Sequence, residues 1–372
     1  MFFETDRENS CLLARGQKMA DRTRNRRIGL MLGGASLVLA GAAHADVVGT
    51  LYYTTYSPTN VYSLNYDFNG TSLTLNNKNT LVANTAGADG IVFSTNGDLI
   101  VAGQGPSATE ITTGGNQVAT ATIANNPTSN ASGAAYHFAF SANNSLVYAL
   151  ANGGSGNGTI SAFTLNASGI IGNGTAYNVS LANGVTDTNA YATTVRSLIY
   201  DPNTGKYYYG SSPDGKTTGD FGVATINDAT KTVTLTPFAS DIGNMAAHGL
   251  TYDPFTHDII ANAGNTIMQI DPASGAVVGS LSVAGMQYDQ AAVDGAGHLF
   301  VASNTGSLTF VNYAGTGNIQ TASYSTTNSL ITNLDDIAPL SGQGSANPIP
   351  EPGSLILLAA GMLGIGAVRR RR

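Results

Sequence analysis

The sequence contains no tryptophan, one cysteine, and charged side chains at only 10% of its 372 residues. Each scarcity excludes something. With Cys11 as the sole cysteine, no intrachain disulfide, paired-thiolate metal site or dithiol redox motif is possible. Charge is well below the roughly 25% of ordinary soluble chains, so the surface must be covered by uncharged polar groups. Positive charge is nearly absent from the body. Asp46–Asn347 holds five Lys and Arg against 18 Asp and Glu, a net charge of −13. Such a body does not suit nucleic acid, which needs a basic surface. Glutamate occurs there once, as Glu110. The chain also lacks a G-x-S-x-G elbow, an H-E-x-x-H helix and a phosphate-binding glycine loop. What is abundant is glycine, at 45 residues, and tyrosine, at 17. Together they point to an all-β protein with many tight turns.

The positive charge sits at the two ends. Met19 is a plausible start, since Arg22, Arg24, Arg26 and Arg27 then form a basic leader. Ile28–Ala42 is apolar, and Ala43-His44-Ala45 fits a signal-peptidase site with Ala43 and Ala45 as its small residues. Residues 1–45 therefore read as a signal peptide with an apolar helix, and the mature chain begins at Asp46. Arg26-Arg27 has poor flanks for a twin-arginine signal, which favours the general secretory machinery.

From Asp46 onward a unit recurs: an apolar stretch, a turn of Asp, Asn, Ser or Gly, then a second apolar stretch. It appears at Ile91–Ala102, Phe138–Ala149, Leu198–Tyr209, Leu250–Ala261 and Ala291–Ala302. Each reads as two short strands and a tight turn. A second hairpin follows in most units, as at Ile267–Ile270, Asp271–Gly275 and Ala276–Leu281. Four antiparallel strands every 40–50 residues or so are the signature of a propeller blade. Val47–Thr80 has three strand-like stretches (Gly49–Thr55, Asn60–Tyr66, Ser72–Leu75) and no leading strand. Asn333–Leu340 resembles a leading strand with nothing after it. Pairing these two ends closes a ring of six blades over residues 46–340; slack around Gly172–Thr194 leaves seven open. The architecture resembles six-bladed propellers of the NHL or lactonase-like type, without a diagnostic catalytic motif. Asp201-Pro202, Asp253-Pro254 and Asp271-Pro272 read as turn formers. Tyr207-Tyr208-Tyr209 and Tyr52-Tyr53 read as packing between blades.

Residues 341–347 (Ser-Gly-Gln-Gly-Ser-Ala-Asn) form a flexible linker. Beyond it the chain runs through Pro350-Glu351-Pro352, an uncharged apolar stretch from Leu355 to Val368, and Arg369, Arg370, Arg371 and Arg372. Gly353–Val368 spans about 24 Å as a helix, short of the roughly 30 Å hydrocarbon core. The arginines resist crossing a membrane. A short apolar helix behind a polar recognition element suits a transient transmembrane tail that is held and then cut. Residues 348–372 resemble the PEP-CTERM sorting signal of Gram-negative bacteria. The resemblance implies recognition of Pro350, Glu351 and Pro352 by exosortase, an inner-membrane intermediate, and final residence at the cell surface or outside. It also implies partners among exopolysaccharides or envelope proteins.

Charged residues cluster at one register of the repeats. Asp89, His137, Arg196, His248, Asp289, Asp335 and Asp336 fall just before or within a first strand. First strands lie innermost in a propeller, so these side chains are expected at one mouth of the channel. Three roles fit: hydrogen bonds that cap the ring, a ligand site, or catalysis. Asp89, Asp289 and Asp335 could hold Ca²⁺, a hard oxygen-seeking cation. His137 and His248 suit a softer metal or a general base. A lactonase-like site uses a metal-bound glutamate, and Glu110 is out of this register. The sequence therefore favours a non-catalytic propeller with no resident cofactor, a metal-dependent hydrolase being the alternative. Mass spectrometry of the mature protein from its native cell should find a C-terminus near Pro350–Gly353; a tail intact through Arg372 would mean a plain membrane anchor instead.

Overall fold

The apolar–turn–apolar units fold as antiparallel hairpins, because alternating side chains give each strand two faces that both need cover. The computed structural model describes residues 47–83, 88–103, 105–124, 135–150, 159–186, 192–211, 219–238, 247–328, 330–331 and 333–338. Among them 24 strands make six blades. Blade 1 contains β1 (Val47–Thr55), β2 (Asn60–Phe68) and β3 (Leu73–Val82). Blade 2 contains β4 (Ile91–Phe93), β5 (Leu99–Val101), β6 (Ser107–Ile111) and β7 (Gln117–Thr122). Blade 3 contains β8 (His137–Phe140), β9 (Leu146–Leu150), β10 (Thr159–Asn166) and β11 (Gly169–Leu181). Blade 4 contains β12 (Val195–Asp201), β13 (Lys206–Ser211), β14 (Asp220–Asn227) and β15 (Thr232–Pro237). Blade 5 contains β16 (Gly249–Tyr252), β17 (Ile259–Ala263), β18 (Thr266–Ile270) and β19 (Val277–Ser282). Blade 6 contains β20 (Tyr288–Val293), β21 (His298–Ser303), β22 (Ser307–Asn312) and β23 (Ser323–Thr327), with a 3₁₀ turn at Ile319–Thr321 before its last strand. β24 (Leu334–Ile337) then returns to blade 1, giving the order β24-β1-β2-β3.

Closure is therefore made by both ends of the body. β24 runs antiparallel to β1, with Tyr53 opposite Ile337 and Thr55 opposite Leu334. The Ala338 N–H donates to the Tyr52 carbonyl at 2.8 Å. Thr54 fastens the seam to blade 2 as well. Its hydroxyl donates to the Asp89 carbonyl at 2.5 Å and accepts from the Asp336 N–H at 3.1 Å. The innermost strands β4, β8, β12, β16, β20 and β24 contact one another in a closed cycle.

The hydrophobic core is divided into six wedges, one per blade interface. Leu51, Tyr53 and Tyr66 of blade 1 meet Phe300 and Phe310 of blade 6. The tyrosine triplet shows how strand alternation builds two wedges at once. Tyr208 packs between blades 4 and 5, and Tyr209, pointing the other way, packs between blades 3 and 4. Tyr53 and Tyr52 divide in the same way between the interfaces of blade 1 with blades 6 and 2.

The Asp-Pro sites are turns. Asp201 accepts from the Asn203 N–H at 2.8 Å and the Thr204 hydroxyl at 2.7 Å. Asp253 accepts from the Phe255 N–H and the Thr256 hydroxyl, and also from the Tyr313 hydroxyl of the next blade at 2.9 Å.

Two features depart from the sequence reading. β3 continues to Val82, well past Leu75, because the polar run Asn76–Thr80 forms an exposed edge strand with register shifts rather than a loop. β11 is 13 residues long and absorbs much of the slack that allowed a seventh blade. Its far half pairs in parallel with β15, from Asn178 opposite Thr232 to Leu181 opposite Leu235. That pairing fuses blades 3 and 4 into one eight-stranded sheet and covers two edges that would otherwise be open.

The signal helix at 1–45, its cleavage residues Ala43 and Ala45, the linker at 341–347 and the tail at 348–372 lie outside the described residues. Among the described residues no helix is long and apolar enough to cross a membrane.

Glu110 is fully buried on β6, where its Oε2 accepts from the Ile170 N–H of β11 at 2.7 Å. It latches blade 2 to blade 3. Glu110→Ala leaves that N–H without its acceptor and should cost about 1–3 kcal/mol in urea denaturation. An unchanged midpoint would show that the latch contributes nothing.

Candidate ligand site on the propeller axis

Every blade sends at least one titratable side chain to the axis. Blade 1 supplies Asp335 and Asp336 from β24, and blade 2 supplies Asp89 from the residues leading into β4. His137 comes from β8, Arg196 from β12, His248 from just before β16, and Asp289 from β20. Glycine lets these inner segments approach. A Cβ on Gly90 would lie 2.7 Å from the Tyr136 carbonyl oxygen, and one on Gly249 would lie 2.4 Å from that of Asp289. Each of these glycines directly follows a titratable residue, Asp89 or His248, so the close backbone approach also brings polar groups to the centre.

The cluster is buried. Asp289 and His137 are each 2% exposed, Arg196 1% and Asp336 fully enclosed. His137 Nε2 lies 2.8 Å from Asp289 Oδ1, which joins two opposite blades across the axis. His137 Nδ1 faces the Arg196 carbonyl oxygen at 3.0 Å. Both partners are acceptors, so both ring nitrogens carry protons and His137 is an imidazolium. His248 is arranged differently. Its Nε2 accepts from the Arg196 guanidinium, which leaves the ring proton on Nδ1, facing Asp289 Oδ1. Arg196 also lies 4.7 Å over the Tyr136 ring.

These contacts set the ionisation. Burial alone would lower His137, but Asp336 and Asp289 override it and hold the ring well above the ordinary imidazole range. Burial alone would raise Asp289, but His248 and His137 hold it well below the carboxylate range. Asp335 has no such counterion. Burial, then the charges of Asp89, Asp289 and Asp336, push it up to about 11. Asp89 is raised for the same reasons, burial first and then Asp336 and Asp289. Burial raises Asp336 to about 7, with His137 pulling the other way. Asp336 Oδ1 lies 3.5 Å from His137 Nε2, an ion pair at the limit of contact, and neither Asp336 oxygen has a hydrogen-bond partner.

Above this ionic plug a cavity of about 570 Å³ opens, lined by Asp89, Asp289, Asp335 and Arg196 and by Tyr56, Ser57, Tyr136, Asn304 and Asn333. The seven residues picked out by repeat register thus meet in one place, and four of them reach the cavity. Sequence reasoning missed the neutral lining. Tyr56 and Asn304 sit in turns between the second and third strands of their blades, where nothing in the local sequence separates them from other turn residues.

His137 Nε2, His248 Nδ1 and Asp289 Oδ1 lie within 4.8 Å of one another and could offer a metal three ligand atoms. A lactonase-like metal fits them poorly. Arg196 places a guanidinium against His248, His137 uses both nitrogens on protein acceptors, and Glu110 lies elsewhere on β6.

The tail and the propeller are each similar to known proteins in different respects. Residues 348–372 match the PEP-CTERM protein-sorting motif. The motif marks the chain for processing by exosortase and for export across the membrane to the cell envelope. No curated protein matches the sequence. In fold, the chain is similar to a chain of the nidogen/laminin complex at a TM-score of 0.53 and 13% identity, covering 78% of this chain and 98% of that one. A protein of unknown function from Bacteroides caccae aligns at a TM-score of 0.46 and 11% identity, covering 78% of this chain and 98% of that one. The likeness to the nidogen/laminin chain is one of fold alone.

In metal-free protein, stability should fall as pH rises from 5 to 8. Asp89, Asp335 and Asp336 keep protons when folded that an unfolded aspartate releases near 3.9, and His137 keeps one above about 6.5. A raised group contributes stability at low pH that is lost as pH climbs through its folded value, about 7 for Asp336. Asp289 acts in the opposite sense but only below about pH 4, outside this window. Each extra proton held on folding gives a slope of about 1.4 kcal/mol per pH unit. Thermal melts should show Tm falling across this range, less steeply in Asp336→Asn between pH 5 and 7. A flat profile would contradict these assignments.

Proposed function

We propose that the protein is a non-catalytic binding propeller, displayed at or released from the cell envelope after its tail is processed, and that it holds exopolysaccharide in an extracellular matrix. The observation that carries the non-catalytic reading is the engagement of both ring nitrogens of His137 and of His248 by protein groups. A general base needs a free nitrogen within reach of substrate. The cavity lining supports a glycan. Asn304, Asn333 and Ser57 are neutral hydrogen-bonding groups, and Tyr56, 56% exposed, offers an aromatic face at the rim. An acidic body also suits solubility among neutral polymers.

A second reading, a metal-dependent hydrolase, is favoured by the convergence of His137, His248 and Asp289. It requires Arg196 to leave His248, and it predicts ester or lactone hydrolysis abolished by His248→Ala.

Retention of the purified protein on exopolysaccharide from the producing cells tests the first reading. Binding without turnover is expected, and Tyr56→Ala should weaken it about tenfold, the equivalent of about 1.4 kcal/mol. Hydrolysis of lactones or esters that His248→Ala removes would replace this reading with the second.

A further inference from the structure

We propose that, while the sorting tail is held in a membrane, the propeller presents its axial cavity away from the lipid, so that the cavity is open to a macromolecular ligand before the tail is cut. The inference rests on the reading of residues 348–372 as a tail held briefly in the membrane, and it adds which side of the ring looks outward.

The direction of two strands carries it. The cavity is lined by Asn333, Leu334 and Asp335, at the start of β24, and by Tyr56 and Ser57, just past the end of β1. β24 and β1 run antiparallel, with Tyr53 opposite Ile337. Each strand therefore meets the cavity at one end and lies away from it at the other. β24 runs from the mouth down to Ile337, and the Ala338 N–H beyond it donates to the Tyr52 carbonyl at 2.8 Å. β1 begins at Val47 and rises to the mouth. The other inner strands share this direction, since Asp89 and Asp289 reach the cavity from the beginnings of β4 and β20. Residues 1–46 and 339–372 are thus both attached on the side opposite the mouth, beside the turns that follow the inner strands.

Length decides whether the tail can come round to the mouth. Pro339 to Pro352 is 14 residues. A free chain of that length spans about 20 Å on average and about 48 Å at full extension. The axis is closed to it, because β24 is itself an innermost strand and the His137–Asp289 pair is buried across the centre. The remaining route crosses the four strands of blade 1, about 14 Å at 4.8 Å per step, and climbs the nine residues of β1, about 30 Å more. Such a path would stretch the leash almost to its limit, at a large cost in chain entropy. The turns on the lower side carry Asp98, Asp258 and Asp294 against Lys206, so anionic lipid does not draw the ring down. The short leash alone keeps this side toward the membrane and the mouth away from it.

The test uses the full chain with Cys11→Ser, reconstituted into phosphatidylcholine vesicles, and one added cysteine per variant. Thr305→Cys lies beside Asn304 at the mouth, and Asn96→Cys lies in the turn between β4 and β5 on the opposite side; both positions are exposed. The probe is a maleimide carried on a large polyethylene glycol. Relative to the same sample dissolved in detergent, Asn96→Cys on vesicles should react about threefold more slowly, because the leash holds it near the lipid. Thr305→Cys should react at the same rate in both. Equal rates for the two variants on vesicles, or slowing at Thr305→Cys alone, with the chain floating on the vesicles, overturn the orientation and leave the reading of the tail standing. A chain that does not float with vesicles overturns the reading of the tail and the orientation with it.

Discussion

A blade of four strands has two apolar faces and can cover neither by itself; the rest of this structure follows from that constraint. Each wedge of core lies between two blades, so no blade is stable until both neighbours are in place. The wedge between blades 1 and 6 spans both ends of the body, where Leu51, Tyr53 and Tyr66 meet Phe300 and Phe310. That wedge exists only if β24 crosses from blade 6 and pairs with β1. A strand of four residues therefore completes the core of a ring of nearly 300 residues. The burial of Leu334, Ile337 and Ala338 shows how firmly it is seated.

Closing the ring has a second effect. The inner strands come together at their beginnings, and whatever residues stand there are forced into one small volume. In this chain they are charged. The arrangement is tolerable because hydrogen bonds chain the groups together across the axis. Asp289 lies between His137 and His248, and His248 lies between Asp289 and Arg196. The imbalance falls at the seam, where Asp335, Asp336 and Asp89 gather with too few cations. Buried ion pairs of this kind give little net stability and are poorly replaceable one partner at a time. They suit an axis that must be specific in register and that keeps polar groups in reach of a ligand.

Most of the ring was legible in the sequence because its periodicity is strong where burial is strong. The units at Ile91–Ala102 and Leu250–Ala261 alternate apolar stretches with Asp, Asn or Gly turns, since their strands lie inside and are covered on both faces. Outer strands carry a weaker signal. β3 reads as a short strand and a loop because its exposed half is Asn-Asn-Lys-Asn, and the parallel pairing of β11 with β15 leaves no trace in local composition. The axial cluster was legible for a different reason. In a chain so poor in charge, seven charged residues recurring at one register stand out. Their partners were not legible, since the meeting of His137 with Asp289 across the ring depends on blade number and radius rather than on neighbouring residues.

The position of the sorting motif gives closure a further burden. The motif begins at residue 348, and the last strand ends at Ile337, so about ten residues separate the processing signal from the seam. A load on the tail would reach the body at β24, the strand nearest the motif in sequence. The strand's ladder to β1 is short, with a register shift between its two pairs. What resists the pull is the set of contacts across the seam: the Thr54 hydroxyl bridging Asp89 and Asp336, the Ala338 N–H on Tyr52, and the apolar side chains of Leu334 and Ile337. A propeller whose closing strand was held by a ladder alone would open when handled by its tail. Concentrating side-chain bonds and charge at this strand ties the ring's integrity to the one segment that delivery must load.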